Sequence, residues 1–200
     1  MNKQLLVDHL LFEVSPRQIT ESLAENNGKL IVRGVLQRAE AKNQNERVYP
    51  KEVLMREAKK YNTLIKERRA LGELDHPESS VVNLNNVSHN VLEMSWNGND
   101  LVGKVEVLPT PSGNILKSLF QSGIKLGISS RGMGSVKEVM REAGNTLEVQ
   151  PDFELVAFDF VSNPSTHGAF LSPVNESVNK VISKKYEKVE NIISKIIREF

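Results

Sequence analysis

Two adjacent serines, an aspartate and a histidine are the residues of this 200-residue chain best suited to carry chemistry. Ser129 and Ser130 stand in the run from Leu126 to Ser135, LGISSRGMGS. Its small residues let another backbone or a ligand come close. A serine hydroxyl is a poor nucleophile until a base takes its proton. His76, in ALGELDHP, is placed to be such a base. The residue before a proline is pushed to an extended conformation, so His76 ends a short strand at the mouth of a loop. It serves equally well as an ordinary polar residue before a turn, because a serine and a histidine make a catalytic pair only through geometry. Asp159 lies within FELVAFDFV, and a carboxylate flanked by Phe158 and Phe160 needs hydrogen-bond donors. An imidazole or an arginine would supply them. Neighbouring residues on a strand face opposite sides, so only one of Ser129 and Ser130 can face His76. His89 reads as a strand histidine on a half-buried face.

The elements that must position these groups follow from periodicity and breakers. Residues 1–14 have apolar content compatible with helix or strand, and Ser15-Pro16 ends them. A polar stretch, 17–28, closes in the turn signal Asn26-Asn27-Gly28. Lys29 to Ala41 reads as a strand. Lys51 to Arg69 repeats Leu54, Ala58, Tyr61 and Ile65 at helical spacing, with Pro50 at its start and basic residues at its end. Leu71 to His76 is extended. Val87 to Trp96 and Leu101 to Leu108 form a hairpin around Asn97 to Asp100. A short helix carries Ile115, Leu116, Leu119 and Phe120, with Ser112 as a candidate cap and Gly123 as its stop. Val136 to Arg141 and Thr146 to Gln150 form a second hairpin, and Phe153 to Val161 a final strand. From Asn175 to Phe200, Val178, Ile182, Tyr186, Val189, Ile193, Ile196 and Phe200 mark one long amphipathic helix. It suits packing on its own domain, homo-oligomer formation or a partner. The expected organisation is an N-terminal segment, 1–28, a central domain, 29–174, and the C-terminal helix, 175–200, in an α+β chain.

Composition narrows the function classes. A net charge of +1 gives no basic footprint for nucleic acid. There is no cysteine, which excludes disulfides, thiolate metal sites and a cysteine nucleophile. The histidines are scattered, so neither a metal nor a cofactor is expected. Asp8, His9 and Glu13 surround the apolar Leu10-Leu11-Phe12, so no signal peptide or membrane span is read there, and a soluble, cytosolic protein is expected.

Three motifs in order, LGELDHP (71–77), GISSRGMGS (127–135) and FDFVSNPS (158–165), preceded by Asn43, Asn45, Arg47, Tyr49 and Pro50, resemble the prohead core proteases of T-even-type tailed bacteriophages. The resemblance covers residues 30–170. It implies a serine endopeptidase related in fold to the herpesvirus assembly proteases, a closed, mainly antiparallel β-barrel surrounded by helices. It further implies His76 as general base, Ser129 as nucleophile and Asp159 as the third member, with Asp75 and His167 as rivals for that last role. Arg131 and the backbone N–H groups of Ser130 to Gly132 are candidate oxyanion or substrate contacts, although Arg131 would pair equally well with a carboxylate.

The resemblance also implies substrates. They are scaffold and capsid proteins, cut after glutamate in a Leu/Ile-x-x-Glu context inside the assembling prohead in the host cytoplasm. The protease itself is expected to be a zymogen that ends by destroying itself. Leu10-Leu-Phe-Glu13 and Ile196-Ile-Arg-Glu199 match that pattern, which makes Glu13 and Glu199 candidate self-cleavage sites and residues 1–13 a candidate propeptide. Leu64-Ile-Lys-Glu67 matches too, but within a helix. The competing class is a scaffold-associated structural or binding protein that kept the fold without the chemistry.

Overall fold

The sheet that carries Ser129 is built around a strand buried on both sides. In a computed structural model of the protein, residues 2–141 and 144–162 are described. Strand β1 (Gln4–Phe12) pairs antiparallel with β7 (Leu126–Gly134), which pairs antiparallel with β10 (Glu154–Val161). A second sheet has the order β2 (Ile31–Arg38), β6 (Asp100–Val107), β5 (Val87–Asn97), β4 (Leu71–Glu73), antiparallel throughout. A third combines the hairpin β8 (Val136–Arg141) and β9 (Gly144–Val149) with the two-residue β3 (Arg47–Val48), which lies parallel to β9. All described residues belong to one compact unit.

Three helices cover the sheets. Helix α1 (Pro16–Glu25) is capped by Ser15, whose hydroxyl accepts from the Gln18 N–H. The polar stretch read as 17–28 is therefore a helix. It buries only Ile19 and Ser22 among mostly polar neighbours, too weak a stripe to announce itself. Helix α2 (Lys51–Lys66) buries Leu54, Ala58 and Tyr61, the stripe expected from the sequence. Helix α3 (Pro111–Gln121) is capped by Thr110 rather than Ser112, and Gly123 follows it at φ +73°. Leu116 and Phe120 point into the core from α3, while Ile115 is exposed.

The main core lies between the sheets and gathers Phe12, Leu36, Tyr61, Val105, Leu116, Ile128, Phe158 and Phe160. A second cluster, around Leu6, Tyr49, Val53 and Phe153, packs under the third sheet.

The described residues form a mixed α+β fold of three sheets, not the closed barrel expected from the resemblance. At one seam Leu74, the residue after β4, forms a single parallel bridge with Phe160 of β10. At the other, β1 and β2 share no ladder. The outward carbonyl of Val7 on β1 is taken instead by the side chains of Asn45 (2.9 Å) and Arg47 (3.3 Å). Further along, the Phe12 ring lies directly against Gly34 of β2. Side chains thus occupy the seam that a strand pair would close. The expected C-terminal helix, His167 and Glu199 lie outside the described residues.

Candidate active site

Residue alternation divides β7 into two faces. Ile128, Ser130 and Gly132 turn toward the core, whereas Ser129 and Arg131 turn away from it. On the core side Ser130 accepts a hydrogen bond from Gln37 Nε2 at 2.6 Å. Its register partner on β1, Asp8, is buried and accepts from Asn45 (2.6 Å), Arg47 (3.1 Å) and the Tyr49 hydroxyl. Burial and the neighbouring Asp8 hold the Tyr49 phenol well above its ordinary pKa, so it stays a neutral donor. Asn45, Arg47 and Tyr49, three residues of the motif that precedes α2, therefore serve this buried network.

On the outer face, His9 of β1, Ser129 of β7 and Asp159 of β10 occupy the same register level and form a row across three strands. His76 reaches this row from the end of β4. The Asp75 N–H donates to the Phe160 carbonyl at 2.8 Å, and Asp75 adopts φ +65°, which turns the chain sharply. The His76 ring then lies 5.2 Å from the His9 ring, tilted by 34°. Ser129 Oγ, His9 Nδ1 and His76 Nδ1 are all buried and make no hydrogen bond. The Ser129 hydroxyl is therefore bonded to neither imidazole. Burial, reinforced by His76, lowers the pKa of His9 below the usual imidazole value, against the opposing pull of Asp8 and Asp75.

Asp159 has a different partner from the imidazole expected of a third member. Arg131 Nε donates to its Oδ2 at 2.8 Å and Nη2 to its Oδ1 at 3.2 Å, while the Glu73 N–H donates to Oδ1 at 3.0 Å. The same guanidinium holds the Glu73 carboxylate at 2.9 Å and the Ser79 carbonyl at 2.6 Å. Burial still raises the Asp159 pKa, with Arg131 opposing. Arg131 has no exposed surface, and every arm of its fork is engaged by Asp159, Glu73 and the Ser79 carbonyl. Ser130, Arg131 and Gly132 also sit in a central strand with partners on both sides, where ladders take up main-chain N–H groups. The space beside the Gly132 Cα is filled by the Phe153 ring.

What the Arg131 cluster does is hold the His76 loop. It fixes the chain before His76 through Glu73 and after it through Ser79, and the Asn83 N–H closes the loop onto Glu73 at 3.0 Å. Gly72 is required at the start. A Cβ there would stand 2.0 Å from the Phe158 carbonyl oxygen and 2.3 Å from His89 Nε2. His89 itself lies away from the row, bonded to Ser88 (2.9 Å) and to the Phe158 carbonyl (3.0 Å). Asp75 is spent on the His76 N–H at 3.0 Å. Glu13 is exposed in the irregular segment between β1 and α1. His9 was not among the residues the sequence singled out, because nothing local distinguishes it from a polar residue on a half-buried strand. Among the described residues no group of three or more His, Asp or Glu side chains is arranged to hold a metal ion.

The family described as prohead core protein serine protease matches residues 9–179. The prohead core protein protease of Enterobacteria phage T4 is 34% identical over 148 residues, which is 72% of this chain and 68% of that protein. The solved capsid assembly protease of bacteriophage T4 superposes with a TM-score of 0.69 at 29% identity, over 80% of this chain and 99% of that one. By these matches the chain belongs to the prohead core protein serine protease family.

Proposed function

We propose that the protein is a serine endopeptidase of phage head assembly, with Ser129 as nucleophile and His76 as general base. The observation that carries this reading is the unbonded Ser129 hydroxyl on the outer face of β7, next to the His9–His76 pair. An imidazole nitrogen of His76 accepts the Ser129 proton as Oγ attacks a peptide carbonyl, then returns it to the leaving amine. General-base help of this kind contributes roughly 10²–10⁴ in rate. Ser129 has no exposed surface, so a substrate must displace the side chains over it. Asp159 and Arg131 act by holding the His76 loop. The structural-protein alternative leaves the unsatisfied hydroxyl and imidazoles without a purpose.

The substrates are scaffold and capsid proteins of the immature head, cut after glutamate, and the chain itself. Glu13 suits a self-cleavage site because it is exposed and outside any helix or strand. A cut there severs β1, which pairs with β7 and carries His9 and the buried Leu6 and Phe12, from the rest of the chain, so loss of residues 1–13 ends activity instead of releasing it as removal of a propeptide would. Intact-mass analysis of the wild type and Ser129→Ala, each mixed with a synthetic peptide containing Leu-Leu-Phe-Glu, tests this. Cleavage after glutamate by the wild type alone is the expected result. Cleavage by both proteins, or by neither, overturns the assignment.

A further inference from the structure

We propose that His9 is the positioning partner of the general base: it holds the His76 imidazole beside Ser129 and accepts a hydrogen bond from it when His76 becomes protonated. The inference rests on the reading of Ser129 and His76 given above. The usual orienter of such a base is a carboxylate, yet no described carboxylate is hydrogen-bonded to the His76 ring, whose Nδ1 is buried without a partner. Asp159 is held by Arg131 and the Glu73 N–H, Asp75 by the His76 main chain, and Glu73 gives Oε1 to Arg131 and Asn83 while its buried Oε2 has no partner. His9 is the side chain in ring contact with His76, and it is the register neighbour of Ser129.

Both rings bring a buried Nδ1 without a partner to that contact. A buried polar atom left unpaired is costly. With ring centroids 5.2 Å apart, each imidazole is the neighbour able to supply the other with a nitrogen partner. The proton balance is simple. Ser129 loses a proton to one nitrogen of His76, the N–H on its other nitrogen donates to neutral His9 Nδ1, and both bonds relax when the leaving amine takes the proton. The charged groups whose fields reach His9 are Asp8, on the opposite face of its own strand, and Asp75 on the loop, with His76 as the titratable neighbour. Burial lowers the His9 pKa, which favours the neutral ring that an acceptor must be.

The test compares wild type, His9→Ala and His9→Gln by the rate at which a fluorophosphonate modifies Ser129, across pH, and by NMR titration of the His76 ring. A fluorophosphonate needs an activated serine but no peptide recognition. The alanine variant is expected to label about 10–100-fold more slowly, a fraction of the whole general-base effect. Its midpoint in pH moves down by about half a unit, since the His76 cation loses its acceptor. Glutamine, which keeps a hydrogen-bonding side chain and guards against loss of packing, recovers part of the rate. Equal rates and an unchanged His76 titration in His9→Ala overturn the positioning role. Failure of the wild type to label at Ser129 overturns the nucleophile assignment instead. The His76 titration then still decides, on the same proteins, whether His9 is coupled to it.

Discussion

Arg131 and Asp159 face each other across β7 and β10 with Nε 2.8 Å from Oδ2, and neither has any exposed surface. The guanidinium also binds Glu73 at 2.9 Å, so one buried cation serves two buried carboxylates. Removing one member of such a set leaves an uncompensated charge in the interior and costs about 3–5 kcal/mol. Arg131→Ala is therefore expected to lower the unfolding free energy by that amount in urea denaturation. It also frees the His76 loop, so activity falls even where the protein stays folded. Lysine at this position keeps the charge but cannot reproduce the fork, and restores stability only in part.

The two serines are expected to separate cleanly. Ser129→Ala abolishes peptide cleavage and leaves stability within about 0.5 kcal/mol, because its hydroxyl makes no hydrogen bond. Ser130→Ala keeps the activity and costs about 1–3 kcal/mol, because it leaves the Gln37 amide without its buried acceptor. Parallel activity assays and denaturation curves on the two variants check both halves.

His89 predicts a pH dependence of stability. Burial lowers its pKa from the ordinary imidazole value of 6.5 to about 4. The unfolded chain binds this proton at a higher pH than the folded chain does. The stability associated with neutral His89 is thus complete above pH 6.5 and is lost as pH falls toward 4. One pKa unit corresponds to about 1.4 kcal/mol, so the loss reaches about 3 kcal/mol over that window. Thermal unfolding of His89→Gln should show a shallower decline across the same range than the wild type.

Gly72→Ala tests the close approach of β4 to β10. The added Cβ would sit 2.0 Å from a main-chain oxygen, which cannot yield as a flexible side chain can. The β4–β10 contact must then open, carrying Glu73 and the His76 loop with it. The expected result is a loss of about 1–3 kcal/mol, the range for overpacking a close contact, together with a larger loss of activity than stability alone explains. Retention of full activity would show that the loop is held by the Arg131 cluster alone.

Much of the fold was legible because it depends on local pattern. The stripe of Leu54, Ala58 and Tyr61 specified α2, and the two hairpins and the final strand followed from alternation and turn residues. Helix α1 was not legible, since its buried face is two residues wide. The strand character of residues 4–12 was not either, because its pattern only acquires meaning once β7 supplies a partner.

The sequence by itself determined that Ser129 and Ser130 face opposite ways, because alternation is a property of any strand. It also carried the three motifs that mark the family. It left open the partner of Asp159, for which imidazole and guanidinium serve equally well as donors. Only the tertiary structure decided for Arg131, by register: β10 sets Asp159 opposite Ser129, one residue pair from Arg131 on the same face. The pairing of His9 with His76 was likewise invisible, since the two are brought together by strand pairing on one side and a left-handed turn at Asp75 on the other. Residue type and spacing limit which chemistry is available. Which groups meet depends on contacts between residues far apart in the chain, and local pattern holds no record of those.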